Sequence, residues 1–231
     1  MKTIGLLGGM SYESTLEYYK KINQAVQKKL GNSHSAKIYM YSFDYEALMV
    51  LNQGSDKTPL TKRLYEEFEK LKEVGSDIVS LTANTMHLYI DGIEEKIGIP
   101  LIHIVDAALD EARLLSLNKV LLLGTSYTMS SSLYTKPFYK EHKEVIVPNL
   151  DDQAWINDII YHELIRGIFS QDSKKRLIDM IKMYQKELGF DGVILGCTEL
   201  PLLIKKEDID IPLINTLDAH VNKIVTEIFK D

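Results

Sequence analysis

The chain has 231 residues, 45% of them apolar and 26% charged, the balance of a water-soluble globular protein with enough length for one large domain or two small ones. Its net charge of −6 argues against a nucleic-acid footprint, and its single cysteine argues against an internal disulfide and a thiolate zinc site and suits a reducing compartment. No apolar run approaches the roughly 18–20 residues that cross a bilayer, the N-terminus lacks a signal-peptide pattern, and the best basic cluster, Lys174-Lys-Arg176, reads as a solvated helix face.

Thr3–Leu7 is an apolar run that stops at Gly8-Gly9, a strand ending in a tight turn. Leu16, Tyr19, Ile22, Val26 and Leu30 follow at helical spacing and close on Gly31. Ala36–Phe43 reads as a strand, and Asn52-Gln-Gly-Ser-Asp as a loop. Leu60, Leu64, Phe68 and Leu71 mark a second helix, which ends at Gly75. Ile78–Thr82 is a third strand with Ala83-Asn-Thr85 as its exit turn. A helix over about Met86–Ile97 then leads to the strand Pro100–Val105, with Asp106 as N-cap of the next helix.

The pattern then restarts. Lys119–Leu123 ends in Gly124-Thr125, and Val145–Pro148 is a strand. Helices are expected over Asp152–Phe169 and Ser173–Leu188, the latter ending at Gly189. Val193–Gly196 runs into Cys197, Leu213–Asn215 is the last strand, and a helix over Asp218–Phe229 closes the chain.

Strand–helix alternation predicts parallel sheets covered by helices. The restart predicts a duplication. Lys2–Gly8 resembles Lys119–Gly124, Asp77–Ala83 resembles Asp191–Cys197, and Ile99–Ala107 matches Ile211–Ala219 in six of nine positions, at offsets of 117, 114 and 112 residues. The expected architecture is α/β, with two similar subdomains, each a parallel four-stranded sheet flanked by helices, related by a pseudo-twofold. Residues 1–106 would form the first and 107–216 the second, with 217–231 packing back on the first and the active site in the cleft between them.

Ligands of open parallel sheets bind beyond the carboxyl ends of the strands. Four turns would therefore line the site: Gly8–Ser11, Ala83–Thr85, Gly124–Ser126 and Cys197–Glu199, each before a helix whose N-terminus favours anions. The hydroxyls and amide of Ser11, Asn84, Thr85, Thr125 and Thr198 add donors, so a small anionic ligand is expected. Gly5-Leu-Leu-Gly-Gly-Met lacks full dinucleotide-loop spacing. His34, His142, His162 and His220 lack metal-ligand spacing. His87 reads as a packed histidine on an apolar helix face, and His103 as either a satisfied core group or a partner of site residues.

Gly5-Leu-Leu-Gly-Gly-Met-Ser11, Asn84-Thr-Met-His87 and Gly196-Cys-Thr-Glu199 together resemble the aspartate/glutamate racemase superfamily, nearest its aspartate racemase branch, and the resemblance spans essentially the whole chain. It implies a cytoplasmic homodimer that racemises a small acidic amino acid without pyridoxal phosphate, metal or other cofactor, and with no nucleic acid or membrane as partner. It also implies two catalytic cysteines, one for each face of the substrate Cα. The second matches Cys197; the first falls on Ala83, which carries no proton, with Thr82 one residue before it.

Four readings of Ala83 stay open. It is an engineered replacement of a cysteine; water or another side chain serves the second face; the substrate differs; or Cys197 acts as a lone proton donor, as in single-cysteine decarboxylases of the superfamily. Cys197, Thr82 and Ala83 are thus the catalytic positions. Met10, Ser11, Asn52, Gln53, Asn84, Thr85, Thr125, Thr198 and Glu199 are the substrate-binding candidates, Asn52 and Gln53 by resemblance alone. A helix N-terminus is expected to lower the thiol pKa from about 8.5. The basic residue the resemblance implies near Arg166 is not cleanly matched. The alternatives to a racemase are a single-cysteine decarboxylase or lyase of malonate-like acids and a non-catalytic binder of small dicarboxylates.

Overall fold

In the computed structural model, which describes residues 1–54 and 56–230, the chain divides into two compact units. Unit 1 is Met1–Ile104 with His220–Asp231, and unit 2 is Val105–Ala219. Ser55, within the expected loop, and Asp231, within the expected closing segment, lie outside the described residues.

Unit 1 runs β1 (Thr3–Gly8), α1 (Tyr12–Leu30), β2 (Lys37–Ser42), α2 (Tyr45–Leu51), α3 (Thr58–Glu73), β3 (Ile78–Leu81), a 3-10 helix (Thr85–Tyr89), α4 (Ile93–Ile97) and β4 (Leu101–Ile102). After α5 (Ile104–Leu114), unit 2 runs β5 (Lys119–Leu123), α6 (Ser126–Ser130), α7 (Thr135–Lys140), β6 (Glu144–Ile146), α8 (Leu150–His162), a 3-10 turn (Leu164–Arg166), α9 (Gln171–Leu188), β7 (Gly192–Leu195), α10 (Leu200–Leu203), a 3-10 turn (Lys206–Asp208) and β8 (Leu213–Asn215). α11 (Thr216–Ile228) begins in unit 2 and ends in unit 1.

The sheets are parallel, in the orders β2-β1-β3-β4 and β6-β5-β7-β8, so both units repeat one topology. Identical backbone bonds frame the central strands. Asp77 N–H donates to Thr3 O and Asp191 N–H to Lys119 O, each at 2.9 Å. Val79 N–H donates to Pro100 O and Val193 N–H to Pro212 O, also at 2.9 Å. Beyond the last register pairs, Leu7–Leu81 and Leu123–Leu195, Thr82 N–H donates to Leu7 O (3.0 Å) and Gly196 N–H to Leu123 O (2.7 Å). Ala83 and Cys197 therefore occupy the same position of the repeat, two residues past the strand. The central strands are buried along their length, as their continuous apolar runs require when helices cover both faces. In unit 1 the core gathers Leu7, Phe43, Leu60, Leu64, Phe68, Leu81 and Ile97.

Several elements differ from expectation. The helix expected over Met86–Ile97 is a 3-10 helix and the separate α4, broken at Gly92, whose φ of 72° is left-handed. The strand Pro100–Val105 shrinks to Leu101–Ile102 because α5 already starts at Ile104; Asp106 lies in its first turn and is not its N-cap. α8 stops at His162, where the Glu163 carboxylate accepts the Ser173 hydroxyl (2.7 and 3.0 Å) and the chain tightens into the 3-10 turn before Gly167. The short helices α2, α6 and α7 were not anticipated: 5–7 residues are too few for a helical period to show.

A buried histidine joins α11 to the sheet of unit 1. His220 Nε2–H donates to Ile102 O (2.9 Å), with Ser80 Oγ also at 2.9 Å, and Nδ1 accepts the Tyr18 hydroxyl (2.8 Å). His87, fully buried, has its ring 5.5 Å from that of His220 and 4.5 Å from that of His103. Burial, reinforced by neighbouring positive groups, lowers the pKa of His220 to about 3 and that of His87 well below its ordinary value. The folded state then binds fewer protons than the unfolded chain between about pH 3 and 6.5, so stability is full above about pH 6.5 and falls as pH drops through this window. At 1.36 kcal/mol per unit, lowering the pH from 7 to 5 should cost about 2 kcal/mol through His220. Urea titrations at both pH values should show His220→Gln less stable at pH 7 but with a smaller loss on acidification. An unchanged loss would show that His220 does not titrate with unfolding.

Candidate active site

The exit of β1 is held by hydroxyls. Gly9, at φ 83°, approaches Phe43 so closely that a Cβ would lie 2.3 Å from its carbonyl oxygen, which restricts the position to glycine. Gly9 N–H donates to Thr15 Oγ1 (2.8 Å), and Thr15 Oγ1–H donates to Ser11 O (2.9 Å). Thr82 Oγ1 lies 3.0 Å from Thr15 Oγ1, and Ser14 Oγ donates to Thr82 O (2.8 Å). Since Thr15 spends its proton on Ser11 O, Thr82 is the donor in their contact. Thr82, fully buried, is thus engaged in tying β3 to α1. Met10 is buried and Ser11 caps α1, its Oγ accepting Ser14 N–H (3.3 Å).

At the exit of β3, Ala83 and Asn84 are buried and Thr85 is half-buried. The Asn84 side chain does not cap the 3-10 helix that follows, so capping does not account for it. His87 Nδ1–H donates to Ala83 O (2.7 Å), fixing the peptide after Ala83. Asn52 closes α2 with its Oδ1 buried and without a hydrogen-bond partner among the described residues, while Gln53 is exposed.

In unit 2, Thr125 caps α6, accepting Thr128 N–H at 3.3 Å. At the exit of β7, two donors converge on one oxygen: Cys197 Sγ–H (3.0 Å) and Thr198 Oγ1–H (2.7 Å) both reach Oε2 of Glu199. Cys197 is buried; Thr198 and Glu199 are half-buried. Burial first, and the Glu199 carboxylate second, push the thiol pKa well above its ordinary value, outweighing the backbone N–H groups of Glu199 and Leu200. The expected lowering is thus reversed. The reason is local: α10 has only 4 residues and supplies little dipole, whereas the carboxylate is in direct contact. The 3-10 helix after Ala83 and α6 have 5 residues each, so of the four turns only Gly8–Ser11 precedes a long helix, the 19-residue α1.

Within each unit the structure groups the expected residues at strand exits: Met10, Ser11, Thr82, Ala83, Asn84 and Thr85 in unit 1, and Thr125, Cys197, Thr198 and Glu199 in unit 2. Thr15, which organises the first turn, was missed. Its signal was a Ser-Thr pair, Ser14-Thr15, on the buried side of an otherwise apolar helix face. Arg166 is exposed on a 3-10 turn that packs against α10. Among the described residues, no group of three or more His, Cys, Asp or Glu side chains could hold a metal ion, and no helix is long and apolar enough to cross a membrane.

Paired parallel four-stranded sheets with a thiol–carboxylate contact at one strand exit define a two-subdomain α/β fold of the racemase type. Residues 7–224 match the Asp/Glu/hydantoin racemase family, and the chain belongs to that family of amino-acid isomerases. It is 26% identical over 216 residues to the broad specificity amino-acid racemase RacX of Bacillus subtilis (strain 168), covering 92% of each chain. Among solved structures, it is similar over 100% of both chains to a candidate Asp/Glu racemase from Yersinia pestis (38% identity, TM-score 0.94). It is also similar over 100% of both chains to an aspartate racemase homologue from Pyrococcus horikoshii OT3 (32% identity, TM-score 0.90).

The thiol–carboxylate contact makes one expectation measurable. Glu199→Gln removes the charge that opposes ionisation of Cys197, so iodoacetamide should alkylate Cys197 roughly tenfold faster at pH 7 for each unit the pKa falls. An unchanged alkylation rate would mean that burial alone holds the proton.

Proposed function

We propose that this protein is a cofactor-independent racemase of aspartate or glutamate in which Cys197 moves the Cα proton on one face. The observation that carries this reading is the Cys197 Sγ–H···Oε2 Glu199 contact of 3.0 Å. A buried thiol that keeps its proton is an acid ready to protonate a carbanion. To act as a base it first passes that proton to Glu199, and the resulting thiolate, poorly solvated, removes the proton from Cα. Thr198 holds Oε2 in place throughout. Ser11, Asn84, Thr85 and Thr125 supply donors for the carboxylate and amino groups, and Met10 an apolar wall. Ala83 contributes no proton, so water serves the second face and Cα–H exchange is faster for the enantiomer whose Cα–H faces Cys197.

A second reading is favoured by the same pair of facts, a protonated thiol and a methyl group at the equivalent position of the repeat. Loss of carbon dioxide from a malonate-like acid generates a carbanion without a base, and Cys197 alone then completes the reaction.

Proton NMR in heavy water separates these readings. L- and D-aspartate and L- and D-glutamate should exchange Cα–H for deuterium in a Cys197-dependent way, with Cys197→Ala lowering the rate by about 10²–10⁴-fold. Ala83→Cys should raise Cα–H exchange most for the slower-exchanging enantiomer and should raise racemisation equally from both enantiomers. Absence of exchange from all four acids would exclude racemisation of these substrates, and release of carbon dioxide from a malonate would then support the second reading.

A further inference from the structure

Asn157 is a polar residue in the interior of α8, in a stretch whose neighbours Ile156, Ile159 and Ile160 are buried. Asparagine is a poor residue for a helix interior, because its amide competes with the backbone for hydrogen bonds. Here the amide reaches out of its own helix: Asn157 Oδ1 accepts the Ser126 N–H at 2.9 Å. A backbone N–H can only donate, so this contact fixes which end of the amide is oxygen. Nδ2 is left with two N–H donors and no partner among the described residues, on a half-buried side chain.

The bond places that amide at a strand exit. Ser126 opens α6, which follows β5 by way of Gly124 and Thr125. A Cβ on Gly124 would lie 3.2 Å from Gly196 O, so the exits of β5 and β7 touch. α8 packs against α6 and runs on into the 3-10 turn that packs against α10. It therefore passes along the rim formed by the two exits, with Asn157 at the β5 exit and Cys197 at the next. Two N–H groups at the start of α6 are already taken, that of Ser126 by Asn157 and that of Thr128 by Thr125 Oγ1. α6 has only 5 residues and contributes little dipole. Glu199 brings a carboxylate to the β7 exit. An acid bound here accordingly needs side-chain donors to offset that charge, and Asn157 Nδ2 is a donor that no described group occupies.

We infer that Asn157 is a substrate-binding residue: its Oδ1 is anchored by Ser126, and its Nδ2 donates to a carboxylate oxygen of the acid that occupies the Cys197 exit. Only the class of ligand, a small acid with a free carboxylate, rests on the proposed function. Alkylation of Cys197 by iodoacetamide in the full chain tests the assignment without turnover, since a ligand seated at that exit slows the reaction. L- and D-aspartate, L- and D-glutamate and malonate are titrated in turn, and the concentration that halves the alkylation rate gives a Kd. Asn157→Ala removes the donor and should raise Kd by about tenfold or more, as loss of a hydrogen bond to a charged group does. Asn157→Asp keeps an oxygen for the Ser126 N–H but puts a negative charge where the donor stood, so it should raise Kd further still. A residue that only steadied α6 would give the opposite order, with Asn157→Asp close to the unmodified protein. That order, an unchanged Kd in both variants, or no protection of the unmodified protein by any of the five acids would each overturn the assignment. Protection that depends on Asn157 without Cα–H exchange would count against the racemase reading and leave the assignment standing.

Discussion

A buried thiol and a half-buried carboxylate held 3.0 Å apart compete for one proton, and everything at the exit of β7 is arranged around that competition. Burial raises the cost of a thiolate, and the neighbouring negative charge raises it further. The carboxylate is itself steadied by the Thr198 hydroxyl on the same oxygen. The fold supplies the geometry without help from a long helix. β7 ends at Leu195, Gly196 N–H is clamped to Leu123 O, and the chain turns within two residues into α10. The chemistry of the site is thus a product of two short-range facts, a strand that ends on a buried turn and a glutamate two residues beyond the cysteine.

The duplication was the part of the molecule most legible in the sequence. Its three anchor segments are the central strands and their flanks, and they carry the backbone bonds that the two units share. Long helices were legible for the same reason: α1, α3, α9 and α11 are long enough for an apolar period to repeat. What escaped was short or tertiary. α2, α6 and α7 complete no more than two turns. The break at Gly92 depends on a left-handed residue inside an apolar stretch. The Tyr18–His220 bond joins groups 202 residues apart, which no local pattern announces.

In the site, the Gly-Cys-Thr-Glu run was readable, but the direction of the thiol pKa was not. A turn before a helix suggests stabilised anions; the length of that helix and the depth of the turn decide otherwise, and both are properties of the folded chain. Thr82 illustrates the same limit. Its place one residue before Ala83 made it a catalytic candidate, yet only the structure identifies its partner, Thr15, and hence its role as a tie between β3 and α1.

The main chain around Ala83 is fixed by groups that ignore the side chain there. Leu7 O holds the preceding N–H, and His87 holds the following carbonyl. The equivalent stretch in unit 2 is anchored by the same strand-end bond. A position defined this way is a socket: its methyl group could be exchanged for a thiol or a hydroxyl without re-laying the backbone. The duplicated architecture therefore separates the folding of each strand exit from the chemistry of the side chain it presents, and a lineage built on it can alter one without disturbing the other.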